Sequence, residues 1–131
     1  MEEKRLHRLV KQHFSSCLLS GTSFKDANIT VSIKTNQDEI IYFFRIDSDE
    51  GRECLNLINK PCCDCLVFYS KKGKVAEILG FLELKAVGFH EATEQIIKAY
   101  DQVKILLDEQ MDRNSLRNVT LAAYICMSHQ A

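Results

Sequence analysis

The chain has 131 residues, 46% hydrophobic and 27% charged, which suits one soluble domain with one core. No apolar run nears the roughly 20 residues that span a bilayer, and a net charge of −1 excludes a domain drawn as a whole to nucleic acid or to an anionic membrane. The opening Met1-Glu2-Glu3-Lys4-Arg5 lacks the basic-then-apolar layout of a secretory signal, so a cytoplasmic protein with no membrane partner is expected.

Residues 3–19 read as a helix, with Leu6, Leu9, Val10, Phe14, Cys17 and Leu18 at helical spacing and Gly21 as the stop. Lys4, Arg8 and Lys11 share one face of it, with Arg5 and His7 beside them, and His7 and His13 are expected on or beside its exposed side. Residues 28–34 alternate apolar and polar, residues 39–46 are rich in Ile, Tyr and Phe, and Thr35-Asn36-Gln37-Asp38 lies between them; this predicts a hairpin. Ser48 and Asp49 open a short helix carrying Leu55 and Ile58. Residues 65–69 and 75–85 are apolar on both faces, as in strands covered on two sides, and a Lys71-Lys72-Gly73-Lys74 turn joins them. Residues 90–111 form the longest helix, with Ile96, Tyr100, Val103 and Leu107 as its buried stripe. Residues 118–127 read as a last buried strand. The order predicts an α/β fold: a mixed sheet with helices packed on its faces, in a single domain spanning residues 1–131.

Asp64 opens one central strand, and Glu83-Leu84-Lys85 closes the next. A hairpin turning at Lys72-Gly73 sets Asp64 against Phe81, with Glu83 as the diagonal neighbour on the same face and Lys85 sharing it. Diagonal neighbours lie about 7–8 Å apart, close enough for two acids to share a cation. Buried charges are paired or bind metal. Oxygen donors suit a hard ion, and Mg²⁺ takes one or two carboxylates plus waters and a substrate phosphate. Such an ion would polarise a phosphoryl oxygen and acidify a bound water, with Lys85 orienting that water, stabilising developing negative charge or acting as a base.

The cysteines at 62, 63 and 65 have poor zinc spacing, and core packing is the expected role, with Cys63 and Cys65 on one strand face and Cys62 on the other. Lys4, Arg8 and Lys11 on the first helix, and Lys71, Lys72 and Lys74 at the hairpin turn, are the two local patches available to nucleic acid.

Pro61 with Asp64, then Glu83-Leu84-Lys85, then a helix opening His90-Glu91-Ala92-Thr93-Glu94-Gln95-Ile96, resembles the PD-(D/E)xK nuclease superfamily. The resemblance runs over roughly residues 1–127, by element order more than by identity, and two residues separate Pro61 from Asp64 where the motif has none. It implies a restriction-endonuclease-like three-layer α-β-α core in α-β-β-β-α-β order. It also implies that Asp64 and Glu83 bind Mg²⁺ or Mn²⁺, that Lys85 serves the attacking water, and that Gln95 supports water or lysine. Glu3 (or Glu2) is the loose match to an additional acid on the first helix. The implied activity is hydrolysis of phosphodiester bonds, in DNA before RNA, with a homodimer or a partner protein for cutting a duplex. The alternative is a catalytically inactive module of the same fold that binds nucleic acid or serves protein assembly.

Overall fold

The computed structural model describes residues 4–26, 29–85 and 88–127, with the backbone alone at Lys85 and Met127. Helix α1 (Arg5–His13) buries Leu6 and Val10 and is capped at Phe14. It ends short of the predicted residue 19, because a 3-10 turn at Ser15–Cys17 redirects the chain alongside a strand. There Leu18 bridges Phe44, and the Leu19 N–H donates to the Phe43 carbonyl at 2.8 Å.

The predicted hairpin between residues 28–34 and 39–46 does not form. Strand β2 (Ile29–Ser32) pairs instead with β1 (Ser23–Asp26), which the pattern did not mark, in a separate two-stranded sheet. Strand β3 (Glu39–Arg45) joins the main sheet because it has apolar groups to bury on both sides, Ile41 and Phe43 on one and Phe44 on the other. Helix α2 (Asp49–Cys54) follows, with the Ser48 hydroxyl accepting the Gly51 N–H at 3.1 Å. A Cβ on Gly51 would stand 2.4 Å from the Ile46 Cα, so only glycine lets this helix lie against the end of β3. Of its two predicted apolar anchors, Leu55 is buried and Ile58 is exposed.

Strands β4 (Cys65–Lys71) and β5 (Glu77–Lys85) form the sheet interior. Helix α3 (Phe89–Gln110), the short helix α4 (Arg113–Leu116) and strand β6 (Val119–Met127) complete the chain. The sheet order is β3-β4-β5-β6; β4 is antiparallel to both neighbours, and β6 is parallel to β5. A parallel pair needs a crossover, and α3 supplies it. Its buried residues Ala92, Ile96, Ala99, Val103 and Leu107 recur every three or four positions, and Tyr100 meets Phe81 edge-on at 5.9 Å. The protein is therefore a mixed α/β fold built on a four-stranded mixed sheet.

Both long helices cover the same sheet face. Phe81 is opposed to Leu66 and Leu79 to Phe68, so these four side chains share a side. There they meet Leu6 and Val10 of α1 and Ile96 and Val103 of α3. The other face, with Ile41, Phe43, Cys65, Leu82 and Leu84, is packed by Phe24, Ile29 and Val31 of the β1–β2 hairpin. The expected helix-sheet-helix layering is thus corrected to helices-sheet-hairpin, because β1 and β2 take the place that a helix would fill. His7 is also corrected. It is buried, 5.2 Å from the Phe68 ring and stacked on it, with Nε2 3.3 Å from the Tyr42 hydroxyl. Among the described residues, no helix is long and apolar enough to cross a membrane.

Candidate functional site

The β4–β5 register runs Cys65↔Leu82, Leu66↔Phe81 and so on to Ser70↔Glu77. Six residues separate the last paired positions, rather than the two or four expected, so the pairing slides by one step. Asp64 therefore falls level with Glu83 instead of Phe81. The face is preserved, because the slide moves each opposed partner by two residues.

Asp64 sits in a bend just before β4 and is 6% exposed. Its carbonyl accepts the Ile46 N–H at 3.2 Å, which ties it to the chain leaving β3. Its carboxylate Oδ2 accepts the Leu84 N–H at 2.7 Å. Leu84 is the middle residue of Glu83-Leu84-Lys85, so the carboxylate of the first acid is fastened to the backbone of the second motif. Glu83 is buried, at 1% exposure. Lys85 ends β5 opposite Met127, and its side chain lies outside the described residues, as does Glu3.

Two acids that sequence reasoning missed complete the cluster. Asp47 follows β3 by two residues, and Asp26 ends β1. Carboxylate oxygens of Asp26, Asp47 and Asp64 lie within 4.8 Å of one another, and Glu83 is not part of this set. Asp64 therefore has two groups of acid neighbours, Glu83 level with it on the adjacent strand and Asp26 with Asp47 beside the end of β3. Burial, a hydrogen bond with Asp64 and the charge of Asp64 push the Asp47 carboxyl up to about 6. The Arg45 guanidinium opposes this, with Nη1 3.4 Å from Asp47 and 3.9 Å from Asp26. Arg45 is itself held by the Lys25 carbonyl at 2.7 Å and by the Phe24 ring, 4.4 Å away. One guanidinium thus pairs with two of the three clustered acids, while burial and the neighbouring Asp64 keep a proton on Asp47 up to about pH 6.

Gln95 lies in the second turn of α3. Its Oε1 is buried with no hydrogen-bond partner among the described residues. Because α3 carries the chain back from the end of β5, its first turns stand at the Glu83 end of the sheet.

The three clustered cysteines are packed into the core. Cys62, Cys63 and Cys65 are at most 2% exposed, and burial pushes the Cys62 thiol up to about 12 and those of Cys63 and Cys65 well above the usual thiol range. Cys63 joins Cys62 in the helix-side core, and Cys65 alone goes to the hairpin side. The expected alternation is corrected because the strand starts only at Cys65.

The cationic residues gather at the far end of the sheet. The Lys4 ammonium donates to the Lys74 carbonyl and, at 3.4 Å, to that of Val75, so Lys4 joins Lys71, Lys72 and Lys74 in one patch. Lys11 stands 5.9 Å over the Tyr42 ring, and Arg8 is exposed further along α1. Six residues of strand at about 3.3 Å each put roughly 20 Å between this patch and the acids. No family model, curated protein or solved structure matches the chain.

Proposed function

We propose that the chain is a metal-dependent nuclease that hydrolyses phosphodiester bonds in DNA. The observation that carries this reading is the hydrogen bond from the Leu84 N–H to the Asp64 carboxylate, which joins the acid before β4 to the Glu-x-Lys at the end of β5. The strand order supports it too: an antiparallel run of three strands, then a helix and a parallel fourth strand.

The acids fit a hard divalent cation. Their donors are all oxygens, and burial together with the neighbouring Asp64 pushes the Asp47 carboxyl up, a cost that a bound cation would relieve. Asp64 would hold Mg²⁺ or Mn²⁺ with Glu83 from the adjacent strand or with Asp26 and Asp47 from the hairpin side. When bound, the ion supplies charge neutralisation at the phosphate and a more acidic water. Lys85 follows Glu83 at the strand end and orients that water or stabilises negative charge on the leaving oxygen. Gln95 supports Lys85 or the water from the second turn of α3. The patch of Lys4, Arg8, Lys11, Lys71, Lys72 and Lys74 takes backbone phosphates. A duplex of about six base pairs spans the roughly 20 Å from patch to acids. Cutting both strands of a duplex would take a homodimer or a partner protein.

The test is cleavage of supercoiled plasmid and branched DNA in Mn²⁺, comparing wild type with Glu83→Ala and Lys85→Ala. Activity in the wild type that both variants lose supports the enzyme. A protein that binds these DNAs and cuts none of them is instead the inactive module. Arg45 favours that second reading, because its guanidinium already occupies part of the charge that a cation would meet.

A further inference from the structure

At the end of the sheet away from the acids, a cleft of about 820 Å³ opens between the start of α1, the β4–β5 turn and the chain after α3. That volume lies in the range of ligand pockets, about 300–1,000 Å³. Three kinds of surface meet in it. Lys4, Lys71, Lys72 and Lys74 line its mouth. Apolar side chains, among them Ile40, Val75 and Met111, form a wall. Glu77 lines it as well, at 4% exposure, and its Oε2 has no hydrogen-bond partner among the described residues.

A buried carboxylate oxygen without a donor is costly, and native structures seldom leave one. Burial pushes the Glu77 carboxyl up, and the Lys4 charge pulls it back in part. Exposed acids occupy two of the nearby cations only loosely: Asp38 stands 4.0 Å from Lys71, and Asp112 stands 3.7 Å from Arg5. The missing partner must offer an N–H or O–H donor to Glu77. A cationic ligand would have to pass the lysines, which favour an anion. The ligand that meets all three surfaces has an anionic end, a flat apolar body and a neutral donor edge.

We propose that this cleft binds a mononucleotide, with its phosphate on Lys71, Lys72 and Lys74, its base against the apolar wall, and a base or ribose donor on Glu77. The site is separate from the acid cluster and needs no divalent cation.

The experiment is isothermal titration of the full chain in EDTA with AMP, GMP, CMP and UMP. The matching nucleosides, inorganic phosphate and a single-stranded oligonucleotide serve as the other arms. Saturable binding of at least one mononucleotide below about 1 mM is expected, with its nucleoside and inorganic phosphate weaker. Glu77→Gln and the double variant Lys71→Ala/Lys72→Ala should each weaken it at least about tenfold, as loss of a charged hydrogen bond or of the phosphate contacts implies. Glu77→Leu, which removes the buried charge without leaving a polar group, provides a second folded variant that should lose binding equally. The proposal is overturned if no mononucleotide binds, or if inorganic phosphate binds as tightly as any nucleotide, which would reveal an anion patch only. It is equally overturned if only the oligonucleotide binds, or if the Glu77 and lysine variants bind as the wild type does.

Discussion

Replacing Asp47 with Asn tests the acid cluster directly. Asp47 holds its proton up to about pH 6 in the folded protein, against 3.8 ordinarily. A carboxyl raised in this way binds its proton more tightly folded than unfolded. It therefore withdraws stability as pH climbs from about 4 to about 6, and the loss is complete above that. At 1.36 kcal/mol per tenfold change in proton affinity, the interval corresponds to about 3 kcal/mol. The Asp47 side chain is 22% exposed, and solvent screening reduces this to roughly 1–2 kcal/mol. Asn has the same shape, cannot ionise and can donate to Asp64 at every pH. The Asp47→Asn variant should therefore gain about 1–2 kcal/mol over wild type between pH 4 and pH 7.5, on top of any constant offset. Urea denaturation at half-unit pH steps measures this. Adding Mn²⁺ at pH 7.5 should raise the midpoint of the wild type more than that of the variant, because the ion offsets the negative charge of Asp47 that Asn lacks. A stability difference that stays flat from pH 4 to pH 8 would refute the reasoning.

Two further outcomes are expected. Gly51→Ala should destabilise by about 3 kcal/mol, at the upper end of the overpacking range, because its Cβ would meet the Ile46 backbone at 2.4 Å; a thermal midpoint equal to that of wild type would mean that α2 does not press on β3. In native protein at pH 8, a disulfide reagent should label Cys54 and Cys126, both half-buried, well before the other four thiols. Fast labelling of Cys17 or Cys62, whose thiols burial pushes up to about 12, would contradict the packed core.

The sequence was most legible where one pattern had one solution. The double-sided apolar runs of β4 and β5 and the stripe of α3 appear within a few residues of their predicted limits. Partner choice was less legible. The residues of β2 alternate as a half-buried strand should, and that alternation is equally satisfied by β3 or by β1. The choice of β1 follows from tertiary packing, since Phe24 and Val31 together cover a sheet face that would otherwise meet water. Asp47 was hidden by the same ambiguity. Had β3 been paired with β4, the Arg45↔Cys65 register would have brought the residues after Arg45 beside Asp64. Asp26 gave no signal of its own, because β1 is only four residues long and ends at it.

The parallel pairing of β5 with β6 has a consequence for how the chain reaches this state. Strands β3, β4 and β5 meet through comparatively short connections, so their closure entropy is modest. Strand β6 finds its sheet neighbour β5 after a detour through all of α3 and α4. Contacts of such long sequence separation form late. Pulse-labelled exchange during refolding should therefore find the amides of β4 protected before those of β6, and the reverse order would point to α3 and β6 as the nucleus.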